Sequence, residues 1–194
     1  MEYVIGVDEV GMGALAGPIV ICGFAAPGDW TGPPGLTDSK QLTPARRRLL
    51  RSLIMVQAVK KLVYYKIERW SHADVDRMGV AHAHRLAIRN VILDLAAKVT
   101  PSVIIVDGNL DFKGIHPLVR SYVKADSKFA TVAAASVIAK VLRDQQMPGL
   151  DPEGLYDFHT NMGYPTPKHK AALKKHGPGP YHRHSYAPVR EAVR

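Results

Sequence analysis

The chain has a single cysteine in 194 residues, so a disulfide framework is impossible and no cysteine cluster is available to hold zinc. That residue, Cys22, sits in the apolar run "IVICGF" and reads as a small core residue, which makes a reducing compartment, the cytoplasm, the expectation. An uninterrupted apolar span is also missing. Residues 10–28 carry no charge and are long enough to cross a bilayer, but they hold five glycines and two prolines and directly follow Asp8 and Glu9. Strand and turn are expected there instead, and no membrane association. The start "MEYVIG" has neither a basic n-region nor a small-residue cleavage site, so no secretory signal is expected. There is no internal repeat, no low-complexity tract and no Gly-Lys-Ser/Thr of a P-loop. Acids are the minority charge. Against 17 Asp and Glu stand 26 Lys and Arg, a formal +9 that favours a polyanionic partner such as nucleic acid.

What is present suffices for one domain over residues 1–194, with 46% hydrophobic residues to fill a single core. "EYVIGVDEV" and "GPIVICGFAAP" read as two strands of a hairpin joined by a glycine loop, and "KLVYYKIE" as a third strand. Between them, Thr43 and Pro44 look like the cap and first residue of the helix "ARRRLLRSLIMVQAV". "GVAHAHRLAIRNVILDLAAK" has apolar residues three and four apart, the pattern of an amphipathic helix. Strands "SVIIVDGN" and "LVRSYVKAD" follow, then an alanine-rich helix from about Thr131 to Arg143. Beyond Met147, prolines and glycines cut the chain into short pieces with one helix at "PKHKAALKKH". Strands followed by alternating helices and strands suggest a mixed sheet with helices on its faces and a helical C-terminal appendage.

Three of those strands are expected to end in acids: Asp8 with Glu9, Asp107, and Asp126. Any one of them alone is an ordinary turn former. Together they suit a hard divalent cation, Mg²⁺ or Mn²⁺, and a pair of such ions can activate water and stabilise a leaving oxygen at a phosphodiester. Adjacent strand residues point to opposite faces, so Asp8 and Glu9 share a site only if the strand ends or bulges there. "GMGALAG" raises a dinucleotide-binding alternative, but Pro18 and the run after it promise a strand where that motif requires a helix. Ser39 and Lys40 offer a hydroxyl and an ammonium suited to a phosphate oxygen. Ser136, Lys140 and Arg143 lie on one helix face that can meet a phosphate backbone, while Ala133, Ala134 and Ala135 read as close packing and Asp144 as structural. His182 and His184, with His176 nearby, make a weak case for zinc.

These blocks resemble the prokaryotic type 2 ribonucleases H, the ribonuclease HII family, nearly end to end. "VDEVGMGALAGP" is similar to the family's Asp-Glu-x-Gly-Arg-Gly-x-x-x-Gly-Pro block, "TDSKQLT" to its Asp-Ser-Lys-x-Leu block, and "VDGN" to its third-carboxylate strand. "ADSKFATVAAASVIAKVLRD" resembles the fourth-carboxylate helix block, and "NMGYPTPKHKAALKKHGPGPYHRHSYAPV" the C-terminal segment. The resemblance implies an α/β, ribonuclease H-like mixed sheet flanked by helices, with a helical C-terminal extension that binds substrate from about residue 148. It further implies a metal-dependent endonuclease cutting RNA in RNA/DNA hybrids and duplex DNA at embedded ribonucleotides, leaving a 3′-hydroxyl and a 5′-phosphate. Asp8, Glu9, Asp107 and Asp126 match its catalytic, metal-binding carboxylates. Gly11, Met12, Gly13, Ser39, Lys40, Lys140 and Tyr164 match or neighbour its substrate-binding positions, with Tyr164 against the sugar at the RNA–DNA junction. A monomer is expected. Met12 departs from the pattern, since it replaces the loop arginine, and a weakened junction preference is the alternative this raises. A non-catalytic nucleic-acid-binding protein is disfavoured, because uncompensated acids would weaken phosphate binding.

Overall fold

The computed structural model describes residues 2–112 and 114–193. β-Branched residues on either side of a glycine loop give the expected hairpin: β1 (Tyr3–Val10) pairs antiparallel with β2 (Ile19–Pro27), from Tyr3 opposite Pro27 to Val10 opposite Val20. β3 (Tyr64–Trp70) extends the sheet beyond β2. On the other side, β4 (Pro101–Asp107) runs parallel to β1, and β5 (Val119–Tyr122) parallel to β4, which gives the order β3-β2-β1-β4-β5. The β1–β4 pairing ends at Val7 opposite Val106. Asp8 and Asp107 are the next residues, so two carboxylates leave neighbouring central strands at the same end of the sheet.

Helix α1 (Pro44–Val59) begins as expected, with the Thr43 hydroxyl accepting from the Arg46 amide and Pro44 in the first turn. α2 (His72–Met78), which the hydrophobic pattern does not announce, is closed by a reciprocal cap between Ser71 and Asp74. α3 (Val80–Ala96) lays Ala87, Ile88, Val91 and Ile92 on one face of the sheet against Ile5, Val7, Ile19 and Ile21. α4 (Ala130–Gln146) covers the other face, where Ala134, Ala135, Ile138 and Ala139 meet Val20, Cys22 and Phe24. The alanines and Cys22 are core residues, as expected, and burial pushes the Cys22 thiol well above its ordinary range. Gly6 makes the close contact possible: a Cβ there would stand 2.4 Å from the backbone of Thr131 and Val132.

The C-terminal part contributes α5 (Phe158–Asn161), α6 (Pro167–His176) and α7 (Ala187–Glu191). Its Tyr156, Phe158, Leu173 and Val189 bury a separate apolar cluster with Leu15 and Ala16 of the glycine loop. Among the described residues no helix is long and apolar enough to cross a membrane.

Two expectations are corrected. β5 stops at Tyr122, and Asp126 lies in a short 3-10 turn (Ala125–Ser127) rather than at a strand end. The chain turns because Lys124 adopts a left-handed conformation (φ 57°) and the Ala125 amide is donated to Asp107 Oδ1 at 2.7 Å instead of to a strand. At Asp8 and Glu9 the strand neither ends nor bulges. It stays regular against β2 through Val10, and only the β4 side releases after Val7.

Candidate active site

With β1 regular, Asp8 faces α4 and Glu9 faces α3. Both nevertheless line one cleft of about 270 Å³ with Val10, Ser39, Lys40, Ser136, Lys140 and Tyr164. β1 lies at the centre of the sheet, and once β4 lets go its last residues are reached from both sides. Asp8 is nearly buried, one oxygen accepting from the Glu9 amide at 2.8 Å. Burial, then the charge of Glu9, push its carboxyl up to about 8, with the Ser136 hydroxyl opposing, Asp107 adding less and the Glu9 amide opposing least. Asp126 is also raised, by burial and then by the charge of and hydrogen bond to Asp38, with Asp107 adding to it. Asp38, overlooked as a site residue in the sequence, thus belongs to the acidic group. Its place in the Asp-Ser-Lys triplet was the available signal.

Lys40 is the cation of this group. Burial opposes its charge, yet Asp126, Asp8, Asp38 and Asp107 together hold the ammonium above its ordinary pKa. Lys140 reaches the same cleft, but its Nζ is paired with Asp144 at 2.9 Å, and Asp144 also stands 3.7 Å from Arg47. Asp144 is therefore structural, as expected. Ser39 is buried and its hydroxyl is committed to Ser136 at 2.8 Å, so it braces the wall beneath Asp8 as well as lining the cleft. Arg143 departs furthest from expectation. It is fully buried and donates to the carbonyls of Pro18 (2.9 Å), Met162 (2.8 Å) and Ala16 (3.1 Å), so it is not available to a phosphate backbone. Two turns of α4 carry the face from Ser136 and Lys140 at the cleft to Arg143 in the packing beneath the glycine loop.

That loop is held from below by two arginines. Arg183, missed in the sequence and also fully buried, donates to Gly17 (2.8 Å), Gly11 (2.8 Å) and Met12 (3.1 Å). Gly11 has φ +90°, and a Cβ on it would meet Arg143 Nε at 2.2 Å, so its glycine is required by the arginine beneath. The Gly11 amide donates to the Tyr164 hydroxyl at 3.1 Å, and the Tyr164 ring lies over the Arg143 guanidinium at 5.3 Å. Tyr164 and the loop are therefore one unit. Gly13 is exposed with open space around it, and the Met12 carbonyl is fixed by Arg183 and the Tyr186 hydroxyl.

The histidines do not form a zinc site. His182 pairs with His169, Nε2 to Nε2 at 2.9 Å, whereas the His184 amide goes to Asp76. A carbonyl only accepts, so the contact of His169 Nδ1 with the Tyr164 carbonyl (2.9 Å) places a proton on Nδ1. His182 Nε2 then donates to His169, and His182 Nδ1 accepts from the Gly179 amide at 2.9 Å. Burial, followed for His182 by the neighbouring His169, keeps both below the ordinary histidine pKa, His182 at about 4.

The sequence matches the family model Ribonuclease HII over residues 5–189. The chain belongs to the ribonuclease HII family. Relatives named ribonuclease HII include one from Streptomyces avermitilis, 44% identical over 96% of this chain and 77% of its own, and one from Cupriavidus pinatubonensis, 38% identical over 100% and 87%. Among solved structures, ribonuclease H2 from Pyrococcus horikoshii is similar with a TM-score of 0.75 and 27% identity, covering 98% of this chain and 96% of that one. A ribonuclease HIII solved with Mn²⁺ shares the fold (TM-score 0.75, 21% identity, 99% and 69% covered). The mixed sheet and its helices are thus the ribonuclease H architecture, and the chain is a hydrolase of the ribonuclease H type.

The donors in the cleft suit a hard cation. Glu9 lines the cleft with its side chain partly exposed while its Oε2 is buried toward His84, and Asp8 is disfavoured as an anion first by its burial and then by the charge of Glu9. Among the described residues no three His, Cys, Asp or Glu side chains are arranged as a finished ligand shell. Magnesium does not require one, because it is commonly held by one or two carboxylates and completes its shell with water and substrate phosphate.

Proposed function

We propose that the chain hydrolyses the RNA strand of RNA/DNA hybrids and incises duplex DNA at embedded ribonucleotides, leaving a 3′-hydroxyl and a 5′-phosphate. Asp8, Glu9, Asp107 and Asp126 are the residues that would hold Mg²⁺ or Mn²⁺. Bound there, a pair of such ions supplies an activated water and stabilisation of the leaving oxygen. The observation that carries this reading is the cleft itself, in which the Asp8 and Glu9 carboxyls, the Lys40 ammonium and the loop-anchored Tyr164 ring share one wall system.

The chain's own residues would bind and orient. Lys40 meets a phosphate oxygen, with Lys140 adding charge at the same wall while tied to Asp144. Tyr164 packs against the sugar at the junction, its ring fixed from two sides by Arg143 and the Gly11 amide. Gly13 and the Met12 backbone face the ribose, where the absence of a side chain at Gly13 allows close approach. Residues 1–194 act as one catalytic unit, because the segment beyond 148 carries Tyr164 and the Arg183 that holds the loop.

The test is cleavage of two duplexes side by side, one an RNA/DNA hybrid and one DNA with a single ribonucleotide, with and without Mg²⁺ or Mn²⁺. Metal-dependent cutting of both is expected. Cutting that persists in a chelator, or binding without any cutting, would overturn the reading.

A further inference from the structure

His84 lies on α3 beneath the end of β1 and is only 3% exposed. Its ring packs edge-on to Phe112, with centroids 6.1 Å apart. Neither ring nitrogen has a hydrogen-bond partner among the described residues. A neutral imidazole always carries one N–H, so a donor is buried here with nothing yet to receive it. The polar atom facing it is Glu9 Oε2, 3.5 Å from Nε2, which is itself buried and without a partner. Two unsatisfied groups of complementary chemistry thus face each other on the α3 side of β1, behind the cleft that Glu9 lines.

We propose that His84 is a positioning residue for Glu9, and through it sets the affinity of the cleft for a divalent cation; this rests on the metal-binding role given to Glu9 above. The ring donates from Nε2 to Oε2 and pins that oxygen. The Glu9 side chain is 23% exposed and lines the cleft, so with Oε2 buried on the His84 side, Oε1 is the oxygen turned toward the cleft. Among the described residues nothing competes for the tautomer, since Nδ1 has no partner there and the carboxylate selects the Nε2–H form. At 3.5 Å the contact is longer than a formed hydrogen bond, as is common for site contacts that tighten only when the site is loaded. Second-sphere donors of this kind orient ligating carboxylates, and their loss typically lowers metal affinity about 10- to 100-fold.

The experiment titrates Mn²⁺ alone into the full chain without nucleic acid, following bound Mn²⁺ by electron paramagnetic resonance. The proteins are the parent, His84→Leu, His84→Gln and Glu9→Gln, each checked for folding by circular dichroism; His84→Met replaces the leucine variant if that one does not fold. Expected is a roughly tenfold or greater weakening for His84→Leu or His84→Met and recovery to within about threefold for His84→Gln, which restores an N–H donor in the same place. In cleavage, kcat at a fixed subsaturating Mn²⁺ should fall in the leucine variant while KM for the hybrid stays unchanged. Should Glu9→Gln weaken Mn²⁺ binding and His84→Leu leave it at the parent value, the positioning role is wrong and the metal site stands. If the parent binds no Mn²⁺, or Glu9→Gln binds as well as the parent, the metal role of Glu9 fails and the inference falls with it. Equal weakening by the leucine and glutamine variants also overturns it, since that pattern belongs to packing.

Discussion

Two regions a few residues apart in sequence bury charge in opposite ways. Under the glycine loop, Arg143 and Arg183 are fully buried, and the donors of both guanidiniums are spent on backbone carbonyls of residues 11 to 18 and 162. In and beside the cleft, Asp8 is raised to about 8, Asp126 behind it is raised as well, and Glu9 Oε2 faces a His84 ring that, like it, has no hydrogen-bond partner among the described residues. The first region is complete without any ligand. In the second, burial and mutual charge favour the protonated carboxyls, a cost that a bound cation would relieve. Buried charge that the chain satisfies itself marks architecture, and buried charge that it leaves unsatisfied marks the place where something else binds.

The widest separation of the two regions should come from Asp8→Asn. Cleavage should fall by more than about 100-fold, since losses in the sphere beyond the ligands already reach that range, whereas stability to urea at pH 7 should be unchanged or raised. Retained activity would break the assignment. Arg183→Leu should do the reverse, lowering stability by about 3 kcal/mol or more because several carbonyls of the loop lose a charged donor at once. An Arg183 variant of parental stability would mean the loop does not depend on its floor.

Acid and alkali should act on the two regions with opposite sign. The Asp8 carboxyl is raised from an ordinary 3.8 to about 8, so the metal-free protein gains most from it below the lower value and loses that gain as pH rises through the higher. His182 is lowered from 6.5 to about 4, and its contribution is present above the first value and lost as pH falls toward the second. Urea midpoints measured from pH 4 to 8 in a chelator should therefore rise more steeply with pH between 4 and 6.5 in Asp8→Asn than in the parent, because the opposing carboxylate has been removed. Identical profiles would contradict the raised Asp8. The smallest effect is expected at Met12. Met12→Arg restores one guanidinium beside the ribose-facing loop and should raise cutting at a single embedded ribonucleotide relative to a long hybrid by roughly tenfold, the value of one charge-assisted hydrogen bond. Equal change on both substrates would show that position 12 does not tune junction recognition.

Much of this contrast was legible in the sequence on its acidic side and little of it on its basic side. Acids at the ends of apolar runs stand out, so Asp8, Glu9 and Asp107 draw attention in the sequence, the cap and proline at Thr43-Pro44 announce α1, and "PKHKAALKKH" reads as the helix that forms there. Asp126 was found as a residue but misplaced on a strand, because the left-handed turn at Lys124 leaves no mark without a glycine. Arg143 was read as a surface charge at helical spacing. An arginine bonded to distant carbonyls looks no different in sequence from one in water, and Arg183, Asp38 and His84 were passed over for the same reason. α2 was missed because seven residues are too few to show a period, although Ser71 and Asp74 carry its cap.

Whether the cleft's carboxylates are incomplete without a divalent cation is read most directly by counting protons. Mn²⁺ should be titrated calorimetrically into the full chain at pH 7 in two buffers of different ionisation heat. A carboxyl raised to about 8 is largely protonated at that pH, so binding should be accompanied by release of close to one proton, absent in Asp8→Asn. Binding with the same heat in both buffers, or proton release undiminished in Asp8→Asn, would contradict it.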